Sequence, residues 1–389
     1  MFVIDAFGAR WTLDVSGVEP PLGDELLRLW GRARVDAPGD HHDPDDAPPF
    51  VVRRVDESTV EIDATAVTIP PEDVPYAVSR TITASSIGRR TGQCLMLHAA
   101  GVATPDGGTV ALVAASGTGK TTASRVLGQA LGYVSDETVA VEHDLTVRSY
   151  PKPLSVVVDP ALPHGKHESS PDELGLVTAP HPLHLSATVV LRRSADVDTP
   201  VLEPISLVEA MGEVLPQTSA LPTLDRPLDR LAIALTTGHG PWRLTYREIG
   251  DCVDLVADLA HRRFADGPPH EVTWTWVDGT ASDVDAPDPS TSRADAGSPP
   301  VTWVRAPFRD AVASDGAVLV MLGRVPMTLP GMAATLWLAA QEPAPLEDLV
   351  AATTLTWGPH PDAEAIVTQA LGSLVGSGLL TTSADDPQP

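Results

Sequence analysis

The chain of 389 residues carries 52 Asp and Glu against 26 Lys and Arg, a formal charge of −26, so it lacks the positive field that broad binding to nucleic acid or an anionic membrane requires. Its 43% hydrophobic content is enough for two or three cores at ~150 residues each. Two cysteines, Cys94 and Cys252, exclude a disulfide scaffold and share no zinc-ligand spacing.

Residues 1–10 carry Asp5 early and no basic run before an apolar one, so no secretory leader is expected. The apolar stretch 325–341 contains Pro326 and Pro330 and is shorter than the ~20 residues of a membrane span. The expectation is a cytoplasmic protein with no membrane partner.

In chain order, residues 1–90 read as a small β-rich region. Residues 2–4 and 11–13 are strand signals, and 50–55 with 58–67 alternate around a turn at Asp56-Glu57 like a hairpin. Leu22, Leu26, Leu27 and Trp30 have helical spacing, and 38–49, rich in Asp, His and Pro, reads as a loop. Residues 91–265 form one domain, most regular over 93–160, with strands at 95–99, 109–115, 133–134, 139–141, 146–150, 187–191 and 242–246. Helices are expected at 119–131, 207–215, 228–235 and 252–264, and the polar stretch 160–182 reads as a loop over a site. Residues 266–302 are acidic, rich in Pro and poor in core residues, hence a linker, with Trp274 and Trp276 candidates for local packing. Residues 303–389 supply a strand at 317–322 and helices at 331–340, 346–354 and 362–377. No internal repeat is evident.

The sharpest signal is Ala114-Ala115-Ser116-Gly117-Thr118-Gly119-Lys120-Thr121, a phosphate-binding loop with Ala in place of its first Gly. An apolar strand delivers the loop. Gly117 and Gly119 let backbone N–H groups curl toward phosphate oxygens, and the following helix turns its positive end to them. Ser116, Gly117, Thr118, Gly119, Lys120, Thr121 and Thr122 are the candidate nucleotide contacts. Lys120 is expected at the β- and γ-phosphates and Thr121 at Mg²⁺. Asp136 and Glu137 follow one helix and one strand later, which puts both carboxylates near the loop mouth at the end of a neighbouring strand, for metal holding and proton acceptance. The competing reading is an acidic surface turn. The strand at 187–191 ends in Arg192-Arg193 and offers no carboxylate there. His98 ends the strand before the loop strand, as a phosphate or carboxylate partner or as a core histidine.

The combination of Leu97-His98-Ala99, Ser116-Gly117-Thr118-Gly119-Lys120-Thr121-Thr122 and Val134-Ser135-Asp136-Glu137 resembles the HPr kinase/phosphorylase family, and more closely the HPr-kinase-related proteins found beside peptide-modifying enzymes. Tyr150-Pro151-Lys152-Pro153-Leu154-Ser155 is similar to a segment of the related kinases. The resemblance covers about residues 90–260. It implies an α/β fold with a P-loop kinase core of the HPr kinase/PEP carboxykinase-like type and ATP and Mg²⁺ as cofactors. It also implies Asp136 as catalytic base, Glu137 as the magnesium-side acid, His98 as active-site histidine and Lys152 as a candidate phosphate or substrate contact. No counterpart of the family's downstream basic signature for phosphorolysis is found. A homo-oligomer is compatible with the resemblance, although no residue here demands one.

Residues 303–383 resemble the PqqD-like winged helix that binds precursor peptides, through Val318-Leu319-Val320, Leu329-Pro330-Gly331, Ala334-Thr335-Leu336-Trp337, Leu346–Leu349 and Leu374-Val375-Gly376-Ser377-Gly378-Leu379-Leu380. These residues are mostly of packing type. Arg305, Arg309 and Arg324 are too few for a DNA-binding face. The leading expectation is a kinase acting on Ser or Thr of a peptide or protein in a ribosomal peptide modification pathway. The alternatives are a non-catalytic nucleotide- and peptide-binding scaffold and a small-molecule kinase.

Overall fold

A computed structural model describes residues 1–35, 50–56, 59–63, 65–115, 117–157, 166–261, 272–279 and 301–383. The fold is mixed α/β. Two compact units are present: Met1–Ile205, Glu213–Leu224 and Ala234–His270 make the first, and Ser206–Gly212, Asp225–Ile233 and Glu271–Pro389 the second. Among the described residues no helix is long and apolar enough to cross a membrane.

The first unit opens on a six-stranded sheet. Phe2–Ala6 and Ala9–Gly17 pair antiparallel around a turn at Phe7 and Gly8, both at positive φ. Phe50–Arg54 and Thr59–Ile62 pair as the expected hairpin, but its second arm, expected to run to residue 67, ends at Ile62, and after Asp63 at positive φ the chain returns antiparallel as Thr65–Thr68. Inward residues alternate along Phe2–Ala6 and Ala9–Gly17 and bury Ile4, Trp11 and Leu13 with Leu26 and Leu29 of the helix Pro20–Leu29 and with Trp30, which caps its C-terminus. A second helix, Val74–Arg90, is the longest among the described residues and has no counterpart in the sequence reading of 1–90. Its inner face holds Val78 and Ile82 but also Ser79, Thr83 and Ser86. That polar face hides the apolar period from which a helix is read.

The second sheet carries the site. Gly108–Val113, Leu183–Arg193 and Trp242–Tyr246 run parallel, and Gly108–Val113 is buried along its whole length, as a central strand covered on both faces is. The strand Gly132–Ser135 does not adjoin Gly108–Val113 as expected. Ala99–Ala103 lies between them, antiparallel to both. Two antiparallel steps restore direction, so Gly108–Val113 and Gly132–Ser135 still end at the same edge. The chain breaks its pairing at His98: Leu95–Leu97 joins Val139–Val141 on the other arm of the sheet, and Ala99–Ala103 flanks the loop strand. Leu112, Val189, Leu244, Leu127, Val256 and Leu259 form the core beneath the site.

The second unit is an antiparallel sheet in the order Trp274–Asp278, Asp310–Ser314, Ala317–Leu322, Val325–Pro330, with helices Met332–Ala339, Leu346–Trp357 and Ala363–Gly376. Asp315 and Gly316, both at positive φ, make the tight turn between the second and third strands. Thr302–Arg305 pairs with Ala344–Pro345 and Leu380–Thr382. Phe308 meets Trp337 edge-on at 4.9 Å within a core of Leu336, Leu349, Leu371 and Leu374. The linker expectation fails at residues 274–278, which pair in register with 310–314. Alternate Trp274, Trp276 and Asp278 rows give that segment a strand pattern that its acidic, Pro-rich surroundings mask.

Candidate functional site

The loop strand Gly108–Val113 ends in Ala114 and Ala115, and the helix Lys120–Leu127 begins directly after the loop. Gly117 sits at φ +83° and Gly119 at +101°, conformations that a side chain strongly disfavours. This strain, not crowding, dictates glycine: open space surrounds both positions. Lys120 folds back over the loop, its Nζ donating to the Ala114 carbonyl at 2.6 Å and the Ala115 carbonyl at 3.2 Å. Burial holds its ammonium below the usual lysine range.

A cavity of about 510 Å³ opens at this loop. His98, Gly117, Gly119, Lys120, Thr121, Thr122, Asp136, Glu137 and Lys152 all line it, so nine of the residues singled out by sequence come together. Thr118 does not line it; its hydroxyl turns inward and donates to the Ala115 carbonyl. Ser116 lies outside the described residues.

Asp136 follows the strand Gly132–Ser135 and is buried, 5% exposed. Thr121 Oγ1 donates to its Oδ2 at 3.3 Å, and the Tyr133 hydroxyl donates to its Oδ1 at 3.1 Å. The acid therefore touches the first turn of the helix that follows the glycine loop, and the surface-turn reading fails for it. Ser135 fixes the turn that follows, its Oγ accepting from the N–H groups of Glu137 and Thr138. Glu137 reaches outward, with its side chain 37% exposed, and Thr83 Oγ1 lies 3.4 Å from its Oε2.

Lys152 lies beneath both acids. Its side chain is 3% exposed, and its Nζ lies 3.1 Å from Asp136 Oδ1 and 3.4 Å from Glu137 Oε2. Nζ also donates to the Pro153 carbonyl at 3.0 Å. Burial opposes the ammonium, and the Asp136, Glu137 and Glu168 carboxylates outweigh it, so its pKa is raised above the ordinary lysine value. Expected as a candidate phosphate or substrate contact, Lys152 lines the cavity and is also the counter-ion of the acid pair. Behind it Glu168, from the strand Lys166–Ser169, accepts from Ser79 Oγ at 3.0 Å and from Ser155 Oγ. Burial pushes the Glu168 carboxyl up.

His98 is half-buried at the break between its two strands, where its backbone N–H donates to the Gln217 carbonyl. Burial first, then the Lys120 ammonium, hold its pKa below the ordinary histidine value, which leaves a neutral ring at pH 7.

Sequence reasoning missed Tyr76, Ser79 and Arg80 of the helix Val74–Arg90, as well as Arg125 and Val156, all of which line the cavity; Ser155, quoted there only as part of the segment around Lys152, lines it too. Arg125 was within reach of a sequence argument: it follows Thr121 by four residues, hence one turn, on the same helix face. Glu168 had no local signal, because its serine partner on the helix lies 89 positions away.

The donor set fits a magnesium ion. One hydroxyl, Thr121, stands beside one carboxylate, Asp136, leaving the other positions to phosphate oxygens and water. Among the described residues no group of three or more His, Cys, Asp or Glu is assembled for a metal, so an all-protein cage is not what this site offers.

No family model matches the sequence, and no curated protein matches it. Among solved structures, the Hpr(Ser) kinase/phosphatase from Coxiella burnetii aligns with 42% of this chain and 92% of that chain, at 11% identity and a TM-score of 0.23. A likeness of that size carries no weight for activity.

Proposed function

We propose that the protein is an ATP- and Mg²⁺-dependent kinase that transfers the γ-phosphoryl group to a Ser or Thr hydroxyl of a peptide or protein. The observation that carries the reading is the contact of Thr121 with Asp136, which joins a phosphate loop to an acid pair inside one cavity. Loop N–H groups and Lys120 are suited to hold the phosphates and to take up charge that spreads onto the transferred group. A bound magnesium ion, held by Thr121 and Asp136, would neutralise phosphate charge.

The acceptor hydroxyl attacks the γ-phosphorus, its proton passes to a carboxylate, and the bond to the β-phosphate oxygen breaks to release ADP. The resemblance implies Asp136 as that carboxylate. The geometry favours Glu137: both acids meet Lys152, but Asp136 is buried and also receives Thr121 and Tyr133, whereas Glu137 is the more exposed acid on the cavity wall. Glu137→Gln is then expected to abolish transfer and keep nucleotide binding, and Asp136→Asn to weaken both. Full transfer by Glu137→Gln, with loss in Asp136→Asn alone, would return the base role to Asp136.

The peptide half of the reading rests on the second unit. Its strand Val325–Pro330 ends the sheet order, with Ala317–Leu322 as its partner, and three helices follow, the arrangement expected of a PqqD-like winged helix. An extended peptide adding to that edge would be presented to the kinase at raised effective concentration. Placement in a ribosomal peptide modification pathway is part of the same proposal. Deleting 303–389 is expected to raise the KM for a peptide and spare ATP binding; unchanged peptide kinetics would favour a small-molecule acceptor.

A further inference from the structure

The cavity is lined by four cations, Arg80, Lys120, Arg125 and Lys152, and two anions, Asp136 and Glu137. Both anions are matched to Lys152, and Lys120 is committed to the loop. Arg80 and Arg125 are left. Among the described residues neither has a hydrogen bond or an ion pair, in a chain whose acidic residues outnumber its basic ones two to one. Two unmatched guanidinium groups on one cavity are unexpected against that background, where acids to pair with are abundant.

Their positions say what they could meet. Arg125 stands one turn after Thr121 on the helix Lys120–Leu127, so it flanks the phosphate loop. Arg80 comes from the helix Val74–Arg90, on another wall. On that helix Ser79 and Thr83 form one row, which reaches Glu168, Tyr150 and Glu137. Tyr76 and Arg80 form the adjacent row and line the mouth. Arg80 is exposed and Tyr76 is 38% exposed, as groups that meet an incoming molecule are.

We infer that Arg80 and Arg125 form an anion-recognising rim that selects acceptor peptides with acidic residues beside the phosphorylated hydroxyl. The inference rests on the kinase reading and specifies its substrate class. Guanidinium groups hold carboxylates through paired N–H donors, which makes them suited to read Asp or Glu side chains. The net negative charge of the chain would otherwise repel such peptides, so the rim supplies local attraction where long-range steering gives none.

The test is fluorescence anisotropy with two labelled Ser-containing peptides, identical except for Asp or Asn on both sides of the serine, added to full-length protein with Mg²⁺ and a non-hydrolysable ATP analogue. At low salt the Asp-flanked peptide should bind at least tenfold more tightly. The difference should vanish in Arg80→Gln/Arg125→Gln and reverse toward an Arg-flanked peptide in Arg80→Glu/Arg125→Glu. A fluorescent ATP analogue should bind all variants within about threefold of wild type, which also shows that they fold. Equal binding of the two peptides, no binding of either, or a preference that survives the double substitution would overturn the rim. Failure of the ATP analogue to bind wild type would overturn the kinase reading instead.

Discussion

Removing Lys152 probes the buried charge pair on which the acid site stands. Its ammonium is 3% exposed and faces an Asp136 side chain that is 4% exposed at 3.1 Å. Loss of one partner of such a pair costs about 3–5 kcal/mol, because the other charge remains buried and unmatched. The Glu137 contact at 3.4 Å adds under ~1 kcal/mol, since that carboxylate is 37% exposed and screened by solvent. At ~2–4 °C per kcal/mol for a unit of this size, Lys152→Met should lower the melting temperature by ~6–20 °C. The loss should be the same from pH 6 to 9: the folded-state pKa lies above 10.5, so the stabilisation is complete below 10.5 and fades only as pH rises beyond it. A double-mutant cycle with Asp136→Asn separates the pair from general packing damage. Chemical denaturation of wild type, Lys152→Met, Asp136→Asn and the double variant should give a coupling of at least ~2 kcal/mol. Additive losses, within ~0.5 kcal/mol, would refute the view that Lys152 is the counter-ion of Asp136.

Other expectations follow from the same geometry. Glu137→Gln should reduce phosphoryl transfer by about 10²-fold or more and leave nucleotide affinity within a few-fold, measured by single-turnover kinetics and analogue binding. Gly119→Ala places a side chain at φ +101° and should weaken nucleotide binding in titration calorimetry; unchanged affinity would mean that the loop does not need this conformation to bind. In the second unit, burial pushes the Asp310 carboxyl up to about 6, although it accepts from the N–H groups of Leu228 and Asp229. A raised carboxyl pKa favours the protonated folded state, so stability falls as pH climbs from about 4 to 6, by about 3 kcal/mol. Asp310→Asn should remove that slope and gain on wild type as pH rises; parallel pH curves would contradict it.

The parts of the site that were legible in the sequence are those written locally. The loop strand is a run of apolar residues, and Gly117, Gly119, Lys120 and Thr121 follow at fixed spacing, so strand, loop and helix were recovered together. What escaped depends on partners far away in sequence. The helix Val74–Arg90 buries Ser79, Thr83 and Ser86, and these are tolerated inside because Glu168, Tyr150 and Trp11 Nε1 meet them 89, 67 and 75 positions away. No periodicity shows such pairings. Lys152 was visible as a residue but not as a role, because its function as counter-ion is set by a fold that returns it beneath Asp136 and Glu137. The separation of the two parallel strands by Ala99–Ala103 escaped for a similar reason: sequence order alone does not reveal that the chain leaves one arm of the sheet at His98 and enters the other.

The central claim is that the cavity joining Lys120, Thr121, Asp136 and Glu137 transfers phosphoryl groups. The most direct measurement is the intact mass of Ser-containing peptides, including any encoded beside this gene, after incubation with the full-length protein, ATP and Mg²⁺, with Glu137→Gln and Lys120→Ala in parallel. The account predicts a gain of one phosphoryl group on a serine or threonine with wild type, and none with either variant. ATP bound without any such gain, or an equal gain in all three proteins, would contradict it.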